Sequence, residues 1–166
     1  MSPERKQTPG ERIAVAEALY WLASAAVRQL PREISLTSAS TLATVERTGP
    51  RRITDLAAIE GVTQPSMTAL VTVLERGGLV ERRQDPRDQR VVLVALTAAG
   101  TDYLRSRRRA GAEAFARLID KLPPDETAVL LAAAPALQHL HELDDEHRAS
   151  AYQAADPSAD RARLEE

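Results

Sequence analysis

The chain has 166 residues, 43% of them hydrophobic, with a formal net charge of −2, which suffices for one compact domain or a small domain with an oligomerisation element. It contains no cysteine, which excludes disulfides, thiolate metal sites and cysteine-based peroxide sensing. No stretch reaches the roughly 18 consecutive apolar residues of a membrane span. The opening Met1-Ser2-Pro3-Glu4-Arg5-Lys6 has no apolar signal region, so a soluble, cytoplasmic protein is expected.

Charge is unevenly distributed. Residues 36–108 hold eleven arginines against eight acids, whereas residues 109–166 hold six basic and twelve acidic residues. One end of the molecule is thus suited to a polyanion and the other to solvent or a partner. Arginine outnumbers lysine twenty to two, which suits a high-GC bacterial genome.

In chain order, residues 1–9 are polar and expected to be flexible. A first helix is predicted from about Gly10 to Leu30, with Ile13, Ala16, Leu19, Tyr20, Leu22, Ala23, Val27 and Leu30 forming an apolar stripe. That stripe is wide for a helix covering one side of a core, and Pro31 marks its end. A second helix, about Thr37 to Glu46, turns Leu42, Ala43 and Val45 inward, and Gly49-Pro50 breaks it. Arg51 and Arg52 lead into a third helix, Ile53 to Glu60, with Thr54 as N-cap and Leu56, Ala57 and Ile59 inward. Gly61 supplies a tight turn in which Val62 packs.

The fourth helix, residues 63–76, carries the strongest local signal. Thr63 can cap it, and Pro65 falls in the first turn, where its missing N–H breaks no helical bond. Met67, Leu70, Val71 and Leu74 follow at the spacing of one buried face. Gln64, Ser66, Thr68, Ala69 and Thr72 lie opposite, where a helix that only covers a core usually shows Glu and Lys. Short donors and acceptors suit a helix pressed into a major groove. With the third helix it makes a helix-turn-helix, the fourth being the recognition helix.

Gly77-Gly78 ends that helix, with Gly77 as the residue expected at positive φ. Leu79–Arg83 and Val91–Leu96 read as two strands joined by Gln84-Asp85-Pro86-Arg87-Asp88-Gln89-Arg90, a turn shaped by proline and two aspartates. Arg82, Arg83, Arg87 and Arg90 crowd this hairpin. It is either a solvated hairpin whose arginines pair with Asp85 and Asp88, or a wing lying along phosphates with a guanidinium in the minor groove.

Thr97 caps a fifth helix, about Ala98 to Lys121, in which Leu104, Ala112, Phe115, Leu118, Ile119 and Leu122 share a face; Arg105, Arg107, Arg108 and Arg109 read as its solvated side. After Pro123-Pro124 a sixth helix carries Val129, Leu130, Ala133, Leu137, Leu140 and Leu143, with a kink expected at Pro135. His139, His141 and His147 are the chain's histidines. His-x-His on a helix splays its rings by about 200°, which disfavours a shared metal. No nucleophile elbow, phosphate loop or metalloprotease motif is present, so no enzyme activity, metal or cofactor is expected.

From Leu36 to Leu104 the chain resembles the DNA-binding core of the MarR (multiple-antibiotic-resistance regulator) family. The resemblance is carried by Ile53-Thr54-Asp55-Leu56-Ala57, Val62-Thr63-Gln64-Pro65-Ser66-Met67-Thr68 and Leu74-Glu75-Arg76-Gly77-Gly78-Leu79-Val80. Most specific are Asp85-Pro86-Arg87-Asp88-Gln89-Arg90 and Leu96-Thr97-Ala98-Ala99-Gly100. It implies a mainly α fold with a small β-hairpin wing: a winged helix-turn-helix core (36–97), a helical dimerisation region (10–35 and 98–148) and flexible ends (1–9 and 149–166). It implies a homodimer that binds double-stranded DNA at a pseudo-palindrome, acts as a repressor and is released by a small aromatic or acidic effector.

On that pattern Gln64, Pro65, Ser66, Thr68, Ala69 and Thr72 form the recognition-helix site. Arg82, Arg83, Arg87, Asp88 and Arg90 form the wing site, Asp88 holding Arg90 by an ion pair while it points down the minor groove. Arg51 and Arg52 are candidate backbone contacts, and Tyr20, Trp21 and Phe115 candidate linings of an effector crevice. Many family members carry a basic residue where this chain has Ala69, so the target sequence is expected to differ. The alternative is a winged-helix protein-interaction module without specific DNA binding.

Overall fold

A computed structural model describes residues 8–29 and 33–155, and for 28, 29 and 148–155 the backbone alone. The elements are α1 (Pro9–Gln29), α2 (Leu36–Thr48), β1 (Arg51–Arg52), α3 (Ile53–Ile59), α4 (Gln64–Arg76), β2 (Val80–Gln84), β3 (Val92–Leu96), α5 (Ala98–Ile119) and α6 (Pro124–Ala155). Expectations for residues 1–7, for Leu30 and Pro31, and for residues 156–166 lie outside the described residues.

Local chemistry starts most of the inner helices. Ser35, Thr63 and Thr97 each accept, through the side chain, the backbone N–H three residues on, at 3.0, 3.3 and 3.0 Å. The exception is α3. Its N-cap is Arg52, with no side-chain cap bond, and Thr54 lies inside the helix with its hydroxyl turned to Asp55. Thr54 is therefore not the cap; pairing of Arg51 and Arg52 into a strand sets where the helix begins.

The end of α4 also differs from expectation. Gly77 has φ −76° and its N–H still bonds the Val73 carbonyl at 3.0 Å, so it continues the helical path. Gly78, at φ +70°, makes the left-handed turn. A Cβ there would meet nothing within 4 Å, so only the backbone conformation opposes a side chain. Gly78→Ala should cost about 1–2 kcal/mol in urea unfolding, and Gly77→Ala much less.

The sheet has strand order β1-β3-β2 and is antiparallel throughout. Its third strand, β1, was not legible in the sequence. A single core joins the sheet to the helices: Leu42 and Val45 from α2, Leu56 and Ala57 from α3, Met67, Val71 and Leu74 from α4, Val80, Val94 and Leu104. Ala43 and Ile59, expected inside, are exposed. The inner face of α2 instead turns Ser38, Thr41 and Thr44 inward, each satisfied: Thr41 donates to the Thr37 carbonyl (2.8 Å) and Thr44 to Glu60 Oε1 (3.0 Å), while Ser38 shares a hydroxyl contact with Ser35 (2.8 Å).

The outer helices are different. Ile13, Val15, Leu22 and Val27 of α1, Leu118 of α5, and Val129, Leu130, Leu131, Leu137, Leu140 and Leu143 of α6 remain exposed. The sixth helix is one continuous element to Ala155, past the expected limit at 148, with Pro135 inside it. No described helix is long and apolar enough to cross a membrane.

Two ion pairs tie the lobe to these helices. Arg108 donates to both carboxylate oxygens of Glu46 (2.6 and 3.1 Å), and Arg47 lies 3.9 Å from Asp145. Hydrogen bonding from Arg108 holds the Glu46 carboxyl below its ordinary range and raises the guanidinium's own value. Because the folded value is the lower one, this contribution is present at neutral pH and fades as pH falls through the folded carboxyl range.

Candidate nucleic-acid interface

With Met67, Val71 and Leu74 buried, α4 turns its other face outward, where Gln64, Pro65, Ser66, Thr68, Ala69 and Val73 are exposed and Thr72 is half-buried. The hydroxyls on this face are already engaged. Thr68 donates to the Gln64 carbonyl and Thr72 to the Thr68 carbonyl, both at 2.8 Å, and Ser66 shares a 2.8 Å contact with the Thr63 hydroxyl. Gln64 keeps an amide with no partner among the described residues. Val73, not among the residues expected on this face, is 63% exposed there. Its signal was there: a β-branched residue outside the buried stripe, four residues after Ala69.

The wing is β2 and β3 with the turn between them. Asp85 Oδ1 accepts the Arg87 N–H (2.8 Å) and Asp88 Oδ1 the Arg90 N–H (3.0 Å), so each aspartate closes a local turn. The expected ion pair between Asp88 and Arg90 is not what holds this arginine. The carboxylate takes the backbone N–H instead, fixing where the residue sits and leaving the guanidinium unclamped. Among the described residues, Arg52, Arg83, Arg87 and Arg90 are exposed and make no ion pair.

Strand alternation separates two neighbouring arginines. Arg82 is registered against Val94 on the buried side of the sheet, and Arg83 against Leu93 on the other. Accordingly, Arg82 forms an ion pair with Glu75 and donates from Nη2 to Thr72 Oγ1 (3.1 Å), bracing the wing against α4. It is engaged, as is Thr72, its partner on the recognition face. Arg52 is also registered against Leu93, so Arg52 and Arg83 flank one residue on the outer side of the sheet. Arg51 lies in the same strand, with Nε donating to Thr48 Oγ1 (3.1 Å).

The arginine run on α5 is more occupied than a solvated face requires. Arg105 pairs with Asp102, Arg108 with Glu46 and Arg109 with Glu113. Of the exposed arginines that make no ion pair among the described residues, Arg83, Arg87 and Arg90 lie on the wing and Arg52 beside it on β1, while Arg12, Arg76 and Arg117 are spread over α1, α4 and α5.

The three aromatic residues of the expected crevice are not assembled. Tyr20 and Trp21 stack edge to face at 5.7 Å on α1, each 67% exposed, while Phe115 is half-buried on α5 with no ring contact to them among the described residues. A hollow of about 80 Å³ lies elsewhere, lined by Glu33, Tyr103, Ser106, Arg107 and Ala110. Among the described residues no three histidine, aspartate or glutamate side chains are grouped to hold a metal ion.

Comparisons with known proteins agree with this geometry. The MarR family pattern matches residues 34–92. The HTH-type transcriptional regulator Mb0904 of Mycobacterium bovis is 35% identical over 101 residues, which span 61% of this chain and 71% of the relative. Among solved structures, the transcriptional regulator Tm0710 of Thermotoga maritima aligns with a TM-score of 0.65 at 22% identity, covering 83% of this chain and 97% of that one. A mutant of S. aureus MepR bound to an oligodeoxyribonucleotide aligns with a TM-score of 0.58 at 21% identity, covering 80% and 96%. A winged helix-turn-helix with an outward-facing α4, together with these likenesses, makes this chain a member of the MarR family of DNA-binding transcriptional regulators, which are not enzymes.

Proposed function

We propose that the protein is a homodimeric repressor that binds a pseudo-palindromic operator near its own coding region and releases it when a small aromatic or acidic effector binds. The observation that carries this reading is the set of exposed, unpaired arginines at the wing, beside the outward face of α4. In this reading residues 36–97 bind DNA, residues 10–35 and 98–148 form the dimer, and the protein works in the cytoplasm at the nucleoid. The unburied leucine and valine side chains of α1 and α6 support the dimer, since apolar surface on that scale gains by association. Two copies of α4 would then meet half-sites about 10 bp apart. The DNA complex of MepR supports the same docking by likeness of fold. The exposed Tyr20–Trp21 pair supports an aromatic effector, which must favour the DNA-incompetent conformation to shift anything.

The test is fluorescence anisotropy with the DNA upstream of the coding region, beside a scrambled duplex, across a range of salt concentrations. Tight binding to the upstream duplex, with affinity falling steeply in salt, is the expected outcome. Equal weak binding to both duplexes would remove the operator assignment. Arg90→Ala is expected to weaken operator binding by about 1–3 kcal/mol, whereas Gln64→Ala should chiefly relax base preference; wild-type behaviour of both variants would place the interface elsewhere.

The two neighbouring arginines should separate in the same titrations. Arg83→Ala should flatten the slope of log affinity against log salt by about one unit, the signature of a lost phosphate contact. Arg82→Ala should lower affinity with the slope unchanged, because its guanidinium holds α4 and the wing together. Equal slope changes for both variants would contradict the bracing role.

A further inference from the structure

The outward face of α4 is more apolar in effect than its residue names suggest. Ser66, Thr68 and Thr72 have their hydroxyls in bonds to their own helix or its cap, and Thr72 also accepts from Arg82. A threonine whose hydroxyl turns back onto the helix backbone leaves its methyl as the group free to face a ligand. Ala69 and Val73 lie four residues apart, one turn along the helix, and Pro65 continues the same row toward the N-terminus. All three are exposed, and Val73 is a β-branched side chain 63% open to solvent on a helix whose own core stripe is complete without it.

In the major groove the one apolar group that distinguishes a base pair is the 5-methyl of thymine, and small apolar side chains are its complement. We propose that Ala69 and Val73 read thymine 5-methyl groups, so that each half-site is specified in part by methyl contact, with Gln64 supplying the hydrogen-bond readout. This rests on the reading above that α4 enters the major groove. It also gives Ala69 a positive role: a long basic side chain there would cover the surface that Val73 needs to approach a base.

The experiment selects a duplex from a randomised pool with the wild-type protein, then replaces each thymine by deoxyuridine, which pairs identically and lacks only the methyl. At one or two positions per half-site the replacement should weaken binding about fourfold, the worth of one buried methyl-sized group. Val73→Ala should bind the thymine duplex more weakly and lose the penalty at one of those positions. Placing 5-methylcytosine where cytosine has replaced thymine should restore part of the affinity for the wild type and not for the variant.

Indifference of the wild-type protein to every deoxyuridine replacement overturns the proposal, as does a penalty that Val73→Ala leaves intact. Failure of the underlying reading looks different: the selected sequence would be the same for wild type, Gln64→Ala and Val73→Ala alike. Val73 is exposed, so its replacement leaves the fold intact, which a urea unfolding curve verifies alongside.

Discussion

Gly100→Ala should destabilise the fold by about 3 kcal/mol or more, although it exchanges a poor helix former for the best one inside a helix. Propensity alone predicts a gain of about 1 kcal/mol. Packing opposes it and wins. A Cβ on Gly100 would collide with the Leu79 carbonyl oxygen and lie 2.9 Å from Leu96 Cδ2, inside van der Waals contact. The carbonyl has little freedom to withdraw. It accepts the Thr97 N–H at 3.2 Å, and the Leu79 N–H donates to the Leu74 carbonyl at 3.0 Å. Relief requires the first turn of α5 to back away from the wing, which would open the packing around Leu104 and Val80. Urea unfolding followed by circular dichroism measures the change. A stabilised variant would show that α5 does not press on Leu79.

Met67→Ala should cost about 2–5 kcal/mol, the range for deleting a buried long side chain and leaving its cavity. Met67 has no exposed surface and sits among the core residues that hold α4 to the helix-turn-helix core. Val73, six residues later on the same helix, should respond oppositely: truncation to alanine should stay within about 0.5 kcal/mol, as for ordinary surface positions. The pair tests the orientation of α4 without DNA. Comparable losses for both would mean the helix is rotated about its axis from the position described.

The features legible in the sequence were those decided within one turn of chain. Thr63 and Thr97 announced their caps, Gly61 its tight turn at φ +64°, and Met67, Val71 and Leu74 their shared face. What escaped depended on partners far along the chain. The two residues of β1 carry no strand signal of their own and become a strand through Leu93 and Val94, about forty residues later. Pairing there also moved the start of α3 and displaced Thr54 from the cap. At Gly77-Gly78 the local signal fitted either glycine, and one more helical hydrogen bond decided for the second.

The candidate site divides the same way. Asp85 and Asp88 were recognisable as turn formers, and the exposed Arg83, Arg87 and Arg90 follow from the hairpin. The bracing role of Arg82 follows once Val80 is placed inward, because alternate residues share a face; naming Glu75 and Thr72 as its partners needs the angle between the wing and α4. The Asp88–Arg90 ion pair implied by resemblance gave way to a backbone bond, since a carboxylate two residues before an N–H closes a turn with fewer side-chain torsions to fix. The packing of α3 against α4 was legible from their apolar spacing; the placing of Tyr20 and Trp21 on α1 and of Phe115 on α5, without a ring contact between the two helices among the described residues, depends on how the outer helices pack.

The junction at Thr97 has a mechanical meaning. Its hydroxyl grips the Gly78 carbonyl (2.6 Å), its N–H grips the Leu79 carbonyl, and Gly100 rests against the same peptide group. The base of the hairpin and the first turn of a 22-residue helix, about 33 Å long, are thereby one stiff body without a hinge between them. A small tilt applied at the far end of that shaft, beside the acidic half of the chain, must swing the arginine-bearing tip through the same angle.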